Sequence, residues 1–347
     1  MTKLSQYSGI ATKIRSMQSR LITPNQYDTL RTMGSVSEAL TYLKQLPGYA
    51  PFLQDLEESQ AHRGQIEAML TASLYHDFSK LYRFANMQQR KFMDFYFIHY
   101  ESVVLKDCLR RAYSGADGDL QLLSFQHFFE QHSSLNLVRL NNSSTLEEFI
   151  RALSGNTFYP VLRRAYESGI ASLPDYESIL DQFYFCTLWK EKRQILKGLD
   201  QNIITSTVGY RIDLLNLRWI YRAKKYYRMN ADMIYSMLIS CYYKIRPSQI
   251  QEMVASSSID ELLHLIHLTY YGQRYGEQLD DIHSMELLYA QLTEKIYTVT
   301  SRNHPYSIAP INSYLYFKEH ETRRLTTIIE GIRYGISPDE IASYAVN

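Results

Sequence analysis

The sequence predicts an all-α protein, and three observations support this prediction. Long proline-free segments carry apolar residues at a period of about 3.6, as in an amphipathic helix. Sustained alternation of apolar and polar residues, which would indicate strands, does not occur. The chain also contains an internal repeat of about 110 residues, and its copies share one helical pattern.

The predicted helices alternate with segments rich in turn-forming residues. The long helices are expected at Gly64–Phe84, Phe92–Tyr113, Tyr176–Leu199, Ile212–Arg228, Met285–Val299 and Tyr314–Tyr334. Loops are expected at Pro47–Gly48, Gly115–Gly118, Asn141–Ser144, Ser154–Asn156, Ser206–Gly209 and Asn303–Pro310. The amino-terminal segment lacks the unbroken apolar core of a secretory signal, so we expect it to form the first amphipathic helix.

The repeat is clearest in a segment that recurs after 223 residues. LITPNQYDTLR begins at Leu21, and KIRPSQIQEMV begins at Lys244. The matched positions are Ile22/Ile245, Pro24/Pro247, Gln26/Gln249, Val36/Ile259, Glu38/Glu261, Leu40/Leu263 and Leu43/Ile266. A middle copy lacks the proline and glutamine and comprises Ser134, Leu137, Leu140, Leu146, Glu148, Ile150 and Leu153. The beginning of a fourth copy of the repeat lies at Ile336–Ile341.

Three acidic residues recur with the same spacing. Glu101, Asp213 and Glu321 are separated by 112 and 108 residues, and each is followed four positions later by leucine. The helix around Asp213 is apolar on nearly all sides, so its carboxylate is expected near the core, where it needs hydrogen-bonding or cationic partners. No base, metal ligand or nucleophile accompanies any of the three acids. We therefore interpret them as structural residues, each fixing the final helix of its own domain.

A repeat of this length predicts three small domains, because solenoids have periods of about 20 to 50 residues. We place helical repeat 1 at residues 1–130, repeat 2 at 131–240 and repeat 3 at 241–347. The structural domains can be offset from these boundaries, in which case the amino- and carboxyl-terminal helices share one domain.

Composition excludes several classes of protein. The net charge is +1, from 37 basic and 36 acidic residues, so no overall field attracts nucleic acid or an anionic membrane. The longest apolar segments are too short to cross a bilayer, which predicts a soluble protein. Cys108, Cys186 and Cys241 are scattered in apolar helical contexts, where cysteine behaves as a small hydrophobe, and this favours a reducing compartment.

The common catalytic and cofactor motifs are absent, and we expect no catalytic, cofactor-binding or metal-binding residues. One alternative is a magnesium-dependent all-α isoprenoid-type enzyme, with the carboxylates of Asp280 and Asp281 near Glu286 as its metal site. Such an enzyme needs a second acidic cluster on a facing helix. The competing interpretation places both aspartates in the first turn of a helix, where acids are favourable.

A segment at Arg218–Arg228 interleaves basic and aromatic residues, as in proteins that bind single-stranded nucleic acid. It forms one helix end in a neutral chain, and cations are favourable at a helix carboxyl terminus. We therefore expect no nucleic acid and favour a protein partner with acidic helices.

Two helical segments, Tyr210–Met229 and Tyr314–Ile341, carry a pattern that points to a family. The matching residues are Asp213, Asn216, Leu217, Ile220, Arg222 and Lys224 in the first segment and Glu321, Leu325, Ile328, Ile329, Gly331 and Gly335 in the second. Arg324 and Val104 stand where the pattern often has asparagine. The chain resembles the central-stalk C subunits of bacterial and archaeal V/A-type rotary ATPases in these two segments, in the opening at Arg15–Ile22 and in its threefold repeat. These C subunits are equivalent to the d subunit of the eukaryotic V-ATPase.

The resemblance implies a socket of three similar helical domains in pseudo-threefold arrangement. It implies a non-catalytic rotor protein, present in one copy, that joins the central axle of the D and F subunits to the membrane proteolipid ring. A rotor protein of this kind couples ATP hydrolysis or synthesis to proton or sodium transport. It is cytoplasmic and peripheral to the membrane, which it meets through protein contacts. A helical scaffold of another assembly remains the alternative.

Basic residues at the ends of the signature helices are the candidates for contact with the axle or the ring. They are Arg110, Arg111, Arg222, Lys224, Lys225, Arg323 and Arg324. The competing interpretation is that these side chains are solvated helix ends.

Overall fold

A computed structural model describes residues 3–58, 61–114, 121–170 and 172–344 of the 347-residue chain. Nineteen α-helices and no strands occur in these residues, which confirms the predicted all-α class. The helices are α1 Lys3–Gln18, α2 Pro24–Arg31, α3 Val36–Gln45, α4 Ala50–Leu53, α5 Arg63–Phe84, α6 Met87–Ser114, α7 Gln126–His132, α8 Leu137–Asn141, α9 Leu146–Ala152, α10 Tyr159–Glu167, α11 Leu173–Ile195, α12 Gly198–Lys225, α13 Ala231–Met237, α14 Pro247–Ala255, α15 Ile259–His267, α16 Gly272–Tyr275, α17 Ile282–Asn303, α18 Ala309–Arg333 and α19 Pro338–Tyr344. Among these helices none is long and apolar enough to cross a membrane.

One predicted loop is wrong. Residues 206–209 lie inside α12, which begins at Gly198, fourteen positions before the predicted start at Ile212. The hydroxyl groups of Ser206 and Thr207 donate to the carbonyl of Ile203 at 2.9 and 3.0 Å, so these residues are satisfied within the helix. The predicted loop at Gly115–Gly118 falls outside the described residues.

The chain forms two compact units. One unit contains Met1–Met93, Gly118–Ser133 and Tyr297–Asn347, so both ends of the chain belong to it. In this unit, α18 packs against α5, and α1 packs against both helices. The other unit contains Asp94–Asp117 and Ser134–Ile296, and in it α11 packs along α12. The division into three repeat domains stays a prediction.

Each unit has its own apolar core. In the unit that contains the chain ends, Leu30, Leu40, Leu43, Leu70 and Leu325 are fully buried. In the other unit, the buried cluster joins α12 to helical residues between 231 and 292, and it includes Ile220, Leu262 and Ile266. Burying one such side chain contributes about 1.5–3 kcal/mol, so the cores hold the long helices in fixed positions.

Three helices begin with the same amino-terminal cap. In α3, α9 and α15, the acid at the third position donates its backbone N–H to a serine or threonine hydroxyl that precedes the helix. Its carboxylate accepts the N–H of the residue before that serine or threonine, at 3.0, 2.9 and 2.6 Å. The acids and their partners are Glu38 with Ser35 and Gly34, Glu148 with Thr145 and Ser144, and Glu261 with Ser258 and Ser257. Glu38, Glu148 and Glu261 are the acids that the sequence repeat aligns, so the matched sequences form matched local structures.

Candidate functional site: acid-anchored junctions and basic helix ends

Glu321, in the middle of α18, holds two loops against this helix. Its carboxylate accepts the backbone N–H of Ile22 at 2.6 Å and the hydroxyl of Tyr49 at 2.6 Å. The ammonium group of Lys318 lies 2.9 Å from the same carboxylate and 2.9 Å from the Tyr49 oxygen. Glu321 is 4% exposed and Lys318 is 2% exposed, so this is a buried, hydrogen-bonded ion pair. We call this set of contacts the Glu321 junction.

Burial and the neighbouring carboxylate keep the tyrosine hydroxyl protonated. They raise the pKa of Tyr49 well above its ordinary value, because its anion would be desolvated and would lie beside Glu321. The same causes raise the pKa of Tyr27, over whose ring the guanidinium of Arg324 lies at 4.2 Å. Tyr49 therefore acts as a hydrogen-bond donor to the acid.

Asp213, in α12, forms a second junction. Its carboxylate accepts the backbone N–H groups of Tyr243, Lys244 and Ile245 at 3.2, 2.6 and 3.2 Å. It also accepts the hydroxyl of Tyr271 at 3.0 Å. Asp213 is 1% exposed, and this burial raises its pKa to about 6 although the four donors favour its ionised form. We call these contacts the Asp213 junction.

The two junctions use equivalent parts of the sequence. In each, the acid binds the N–H of the isoleucine in an Ile-x-Pro segment and the hydroxyl of a fully buried tyrosine. Ile22 and Ile245 are matched positions of the repeat. Tyr49 and Tyr271 were not singled out from the sequence, although both lie at nearly the same spacing as the isoleucines. The structure thus shows that each of these two acids has a tyrosine partner, which the sequence did not indicate.

The partners of these two acids lie in another copy of the sequence repeat. Glu321 belongs to repeat 3 of the sequence, but its partners lie in repeat 1. Asp213 belongs to repeat 2, and its partners lie in repeat 3. Each of these acids therefore fixes a long helix to the opening segment of another sequence copy, because the opening segments pack on the acid-bearing helices. Within each compact unit, the acid and its partners lie together. The prediction that each acid fixes the final helix of its own repeat domain stays a prediction.

Glu101, the third repeated acid, is also buried, with 6% exposure. The side-chain amide of Asn156 donates to its carboxylate at 3.4 Å and to the hydroxyl of Ser134 at 2.9 Å. The Asn156 oxygen accepts the backbone N–H of Phe158, which is fully buried. Phe158 lies two residues before Pro160, as Tyr49 lies two residues before Pro51, so Phe158 occupies the position that corresponds to Tyr49. Phenylalanine has no hydroxyl, and in this junction an asparagine amide supplies the donor.

Two of the seven candidate basic residues hold the ends of neighbouring helices. Arg111 donates to the carbonyls of Leu140 and Asn141 at 2.8 and 2.6 Å, at the end of α8. Lys224 donates to the carbonyl of Ser256 at 2.6 Å, just after α14. Cations at these positions satisfy carbonyls that lack partners within the helix. The Lys224 side chain is half-buried, and this burial lowers its pKa.

Three of the other five candidates are exposed, and two are half-buried. Arg110 is 55% exposed and pairs with Glu177 at 2.6 Å, and Arg323 is 62% exposed and pairs with Glu319 at 3.2 Å. Lys225 is exposed and donates to the hydroxyl of Tyr221 at 2.6 Å. The remaining two are Arg222, which lies 3.7 Å from Glu286, and Arg324, which lies over Tyr27. Whether any of the seven binds a partner stays a proposal.

Asp280 and Asp281 have structural contacts at the start of α17. Asp281 accepts the backbone N–H and the hydroxyl of Ser284 at 3.0 and 2.6 Å, as an amino-terminal capping residue does. Asp280 lies 2.6 Å from the imidazole of His267. In the described part of the chain, no group of three or more histidine, cysteine or acidic residues could hold a metal ion. These contacts support the capping interpretation.

The fold and the junctions define a class of all-α proteins in which buried acids hold loops against long helices. The sequence matches the ATP synthase (C/AC39) subunit family over residues 10–344, and the chain belongs to this family. It is 25% identical to the C subunit of the A-type ATP synthase of Methanosarcina barkeri, over 99% of this chain and 93% of the relative. It is 20% identical to that of Methanocaldococcus jannaschii, over 99% and 87%, and 24% identical to that of Haloferax volcanii, over 97% and 96%. The family predicted from the signature helices is confirmed.

Proposed function

We propose that this chain is a non-catalytic rotor protein that joins the central axle, formed by the D and F subunits, to the membrane proteolipid ring. In this role it couples ATP hydrolysis or synthesis to proton or sodium transport, in one copy and through protein contacts at the cytoplasmic face. The observation that carries this proposal is the family match over residues 10–344, together with A-type ATP synthase C subunits that align with 97–99% of the chain.

The junctions support a mechanical role. A part that transmits torque must not yield where loops meet helices, because a loop that gives way absorbs the rotation. Asp213 holds three consecutive backbone amides and a tyrosine hydroxyl, so its loop cannot shift without breaking several hydrogen bonds together. Each hydrogen bond to a charged group contributes about 1.5–3 kcal/mol. The same reasoning applies to the Glu321 junction.

The accessible basic residues support contact with other proteins of the complex. Arg110, Lys225 and Arg323 are the exposed members of the three basic clusters, and each can exchange its present partner for one on another protein. Beside Lys225, the rings of Tyr226 and Tyr227 are 54% and 60% exposed. Tyrosine is enriched at protein interfaces and among the residues that contribute most to binding.

Affinity purification tests the proposal. The tagged chain is isolated from gently solubilised native membranes, and every co-purifying protein is identified. We expect the axle proteins and the proteolipid ring. A preparation of the intact, helical chain that contains neither would overturn the rotor proposal and would favour a scaffold of another assembly.

Charge reversal tests the basic residues separately. Arg110→Glu, Lys225→Glu and Arg323→Glu are compared with Arg151→Glu, a control residue that is 74% exposed and lies outside the clusters. We expect at least one cluster variant to reduce recovery of the axle or the ring about tenfold, while the control matches the wild type. Equal recovery for all four variants would contradict the assignment. Arg111 and Lys224 are left unchanged, because reversing them would also disturb the helix ends that they hold.

A further inference from the structure

Two cysteines that are far apart in the sequence lie side by side in the structure. Cys186 is on α11, and Cys241 is in the segment between α13 and α14, 55 residues later. Their sulfur atoms are 3.6 Å apart. The expectation that the three cysteines are separate small hydrophobes is therefore wrong for this pair.

The two thiols have different environments. Cys186 is partly exposed, whereas Cys241 is 5% exposed. The Cys186 sulfur accepts a hydrogen bond from the Cys241 thiol and another from the backbone of Ser240, and the ammonium of Lys190 is near. These contacts lower the pKa of Cys186 to about 7, while the shared proton and burial raise the pKa of Cys241. Cys186 is thus the accessible sulfur that ionises first, and the thiolate is the reactive form.

The segment that carries Cys241 is fixed on both sides. Asn216, which is 1% exposed, exchanges two hydrogen bonds of 2.9 Å with the backbone of Ile239. On the other side, the amides of Tyr243–Ile245 are held by Asp213. Because the segment is held in place, the sulfur atoms remain close. A disulfide bond of about 2.05 Å then requires mainly rotation of the two side chains.

We propose that Cys186 and Cys241 form a reactive dithiol site that reduces small disulfides such as glutathione disulfide. The Cys186 thiolate attacks one sulfur of the small disulfide, forms a mixed disulfide and releases one thiolate. Cys241 then gives up its proton and attacks the Cys186 sulfur, which forms the Cys186–Cys241 bond and releases the second thiolate. The small disulfide gains the two electrons that the cysteine pair loses. This site is independent of the proposed rotor function.

An accessible attacking thiol beside a shielded second thiol is the arrangement that oxidation-sensitive pairs use. Cys108 offers a contrast within the same chain. It is fully buried, and burial raises its pKa to about 12, so it has neither access nor thiolate character. The structure therefore assigns reactivity to one pair and leaves the third cysteine inert.

Titration of the intact native chain with dithiobis-nitrobenzoate, an aromatic disulfide with a coloured leaving thiolate, tests the proposal. We expect the wild type to release two coloured thiolates per chain and to retain no adduct, because Cys241 displaces the second one. Cys241→Ser is expected to release one thiolate and retain one adduct. Cys186→Ser is expected to react roughly tenfold more slowly, since only the shielded thiol remains. Cys108→Ser should match the wild type.

Peptide mapping provides a second measurement that does not depend on the variants. After treatment with glutathione disulfide, the peptide that contains Cys186 should be linked to the peptide that contains Cys241. Stable retention of the aromatic adduct by the wild type would overturn the proposal. Equal reaction rates for the wild type and Cys186→Ser would also overturn it, provided that circular dichroism shows the same helix content in both.

Discussion

Replacing Glu321 with alanine should strongly destabilise the unit that contains both chain ends. The substitution removes the only carboxylate found beside the Lys318 ammonium in the described residues, and Lys318 is 2% exposed. It also removes the acceptor of the Ile22 N–H and of the Tyr49 hydroxyl, both at 2.6 Å. What remains is a buried cation that donates a hydrogen bond to the Tyr49 oxygen at 2.9 Å.

The expected magnitude follows from the charge left behind. Removing one partner of a buried ion pair costs about 3–5 kcal/mol, because the other charge stays desolvated. For a unit of roughly 150 residues, each kcal/mol lowers the melting temperature by about 2–4 °C. We therefore expect Glu321→Ala to lower the melting temperature of this unit by about 10 °C, as measured by calorimetry.

A double substitution distinguishes the ion pair from simple loss of packing. Lys318→Met combined with Glu321→Gln removes both charges, keeps an oxygen for the Ile22 amide and fills a similar volume. We expect it to recover about half or more of the lost stability. Glu57→Ala, an exposed acid in the same unit, is the control and should change stability by less than about 1 kcal/mol. The reasoning is refuted if Glu321→Ala melts within about 2 °C of the wild type, or if the double variant is as unstable as the single one.

Four further predictions concern local structure and pH. Asp213→Ala should release the three backbone amides that the carboxylate binds, so these amides should exchange hydrogen faster. The free energy of local opening measured by hydrogen exchange should fall by about 2 kcal/mol or more. Gly209→Ala should destabilise by about 1–3 kcal/mol, because its Cβ would lie 2.5 Å from a tyrosine ring, as chemical denaturation would measure. Gly9→Ala, in a helix with open space around it, should stabilise by about 0.5–1 kcal/mol. Burial lowers the pKa of His320 to about 4, so the stability of the unit that contains both chain ends should fall by up to about 3 kcal/mol as the pH drops from 6.5 towards 4, since the unfolded chain binds the proton more readily.

Each of these predictions has a control. Glu252→Ala, an exposed acid on α14, should leave the exchange of the Asp213-bound amides unchanged. The two glycine variants control each other, because the same change should act in opposite directions, and equal signs would contradict the packing argument. His320→Gln should flatten the pH dependence between about pH 6.5 and 4. If the wild type and His320→Gln lose stability in parallel, another group is responsible.

The location of both chain ends in one unit has a structural cause. Glu321, near the carboxyl terminus, binds Ile22, which is 299 positions away. A helix that carries a buried acid needs donors, and the opening segment supplies a backbone N–H together with a tyrosine hydroxyl. The first and last parts of the sequence therefore fold onto each other. The division into three repeat domains, with or without an offset of their boundaries, stays a prediction.

Local features of the fold could be predicted from the sequence because they depend on residues within about four positions of one another. The period of apolar residues fixes the helical class. The caps at Glu38, Glu148 and Glu261 depend on a hydroxyl three residues before each acid. These acids align in the sequence repeat. The burial of Asp213 also followed from its apolar surroundings on one helix.

The tertiary structure alone decided which distant groups meet. Nothing local distinguishes Tyr49 and Tyr271 from the other tyrosines of the chain, and they become donors only because their loops pack on α18 and α12. Residues 206–209 resemble a loop in composition, yet they are helical because hydroxyls bond within the helix and Gly209 admits a tyrosine ring. Cys186 and Cys241 meet through the packing of α11 against the segment fixed by Asn216. These contacts depend on the packing of whole helices, which no short segment of sequence specifies.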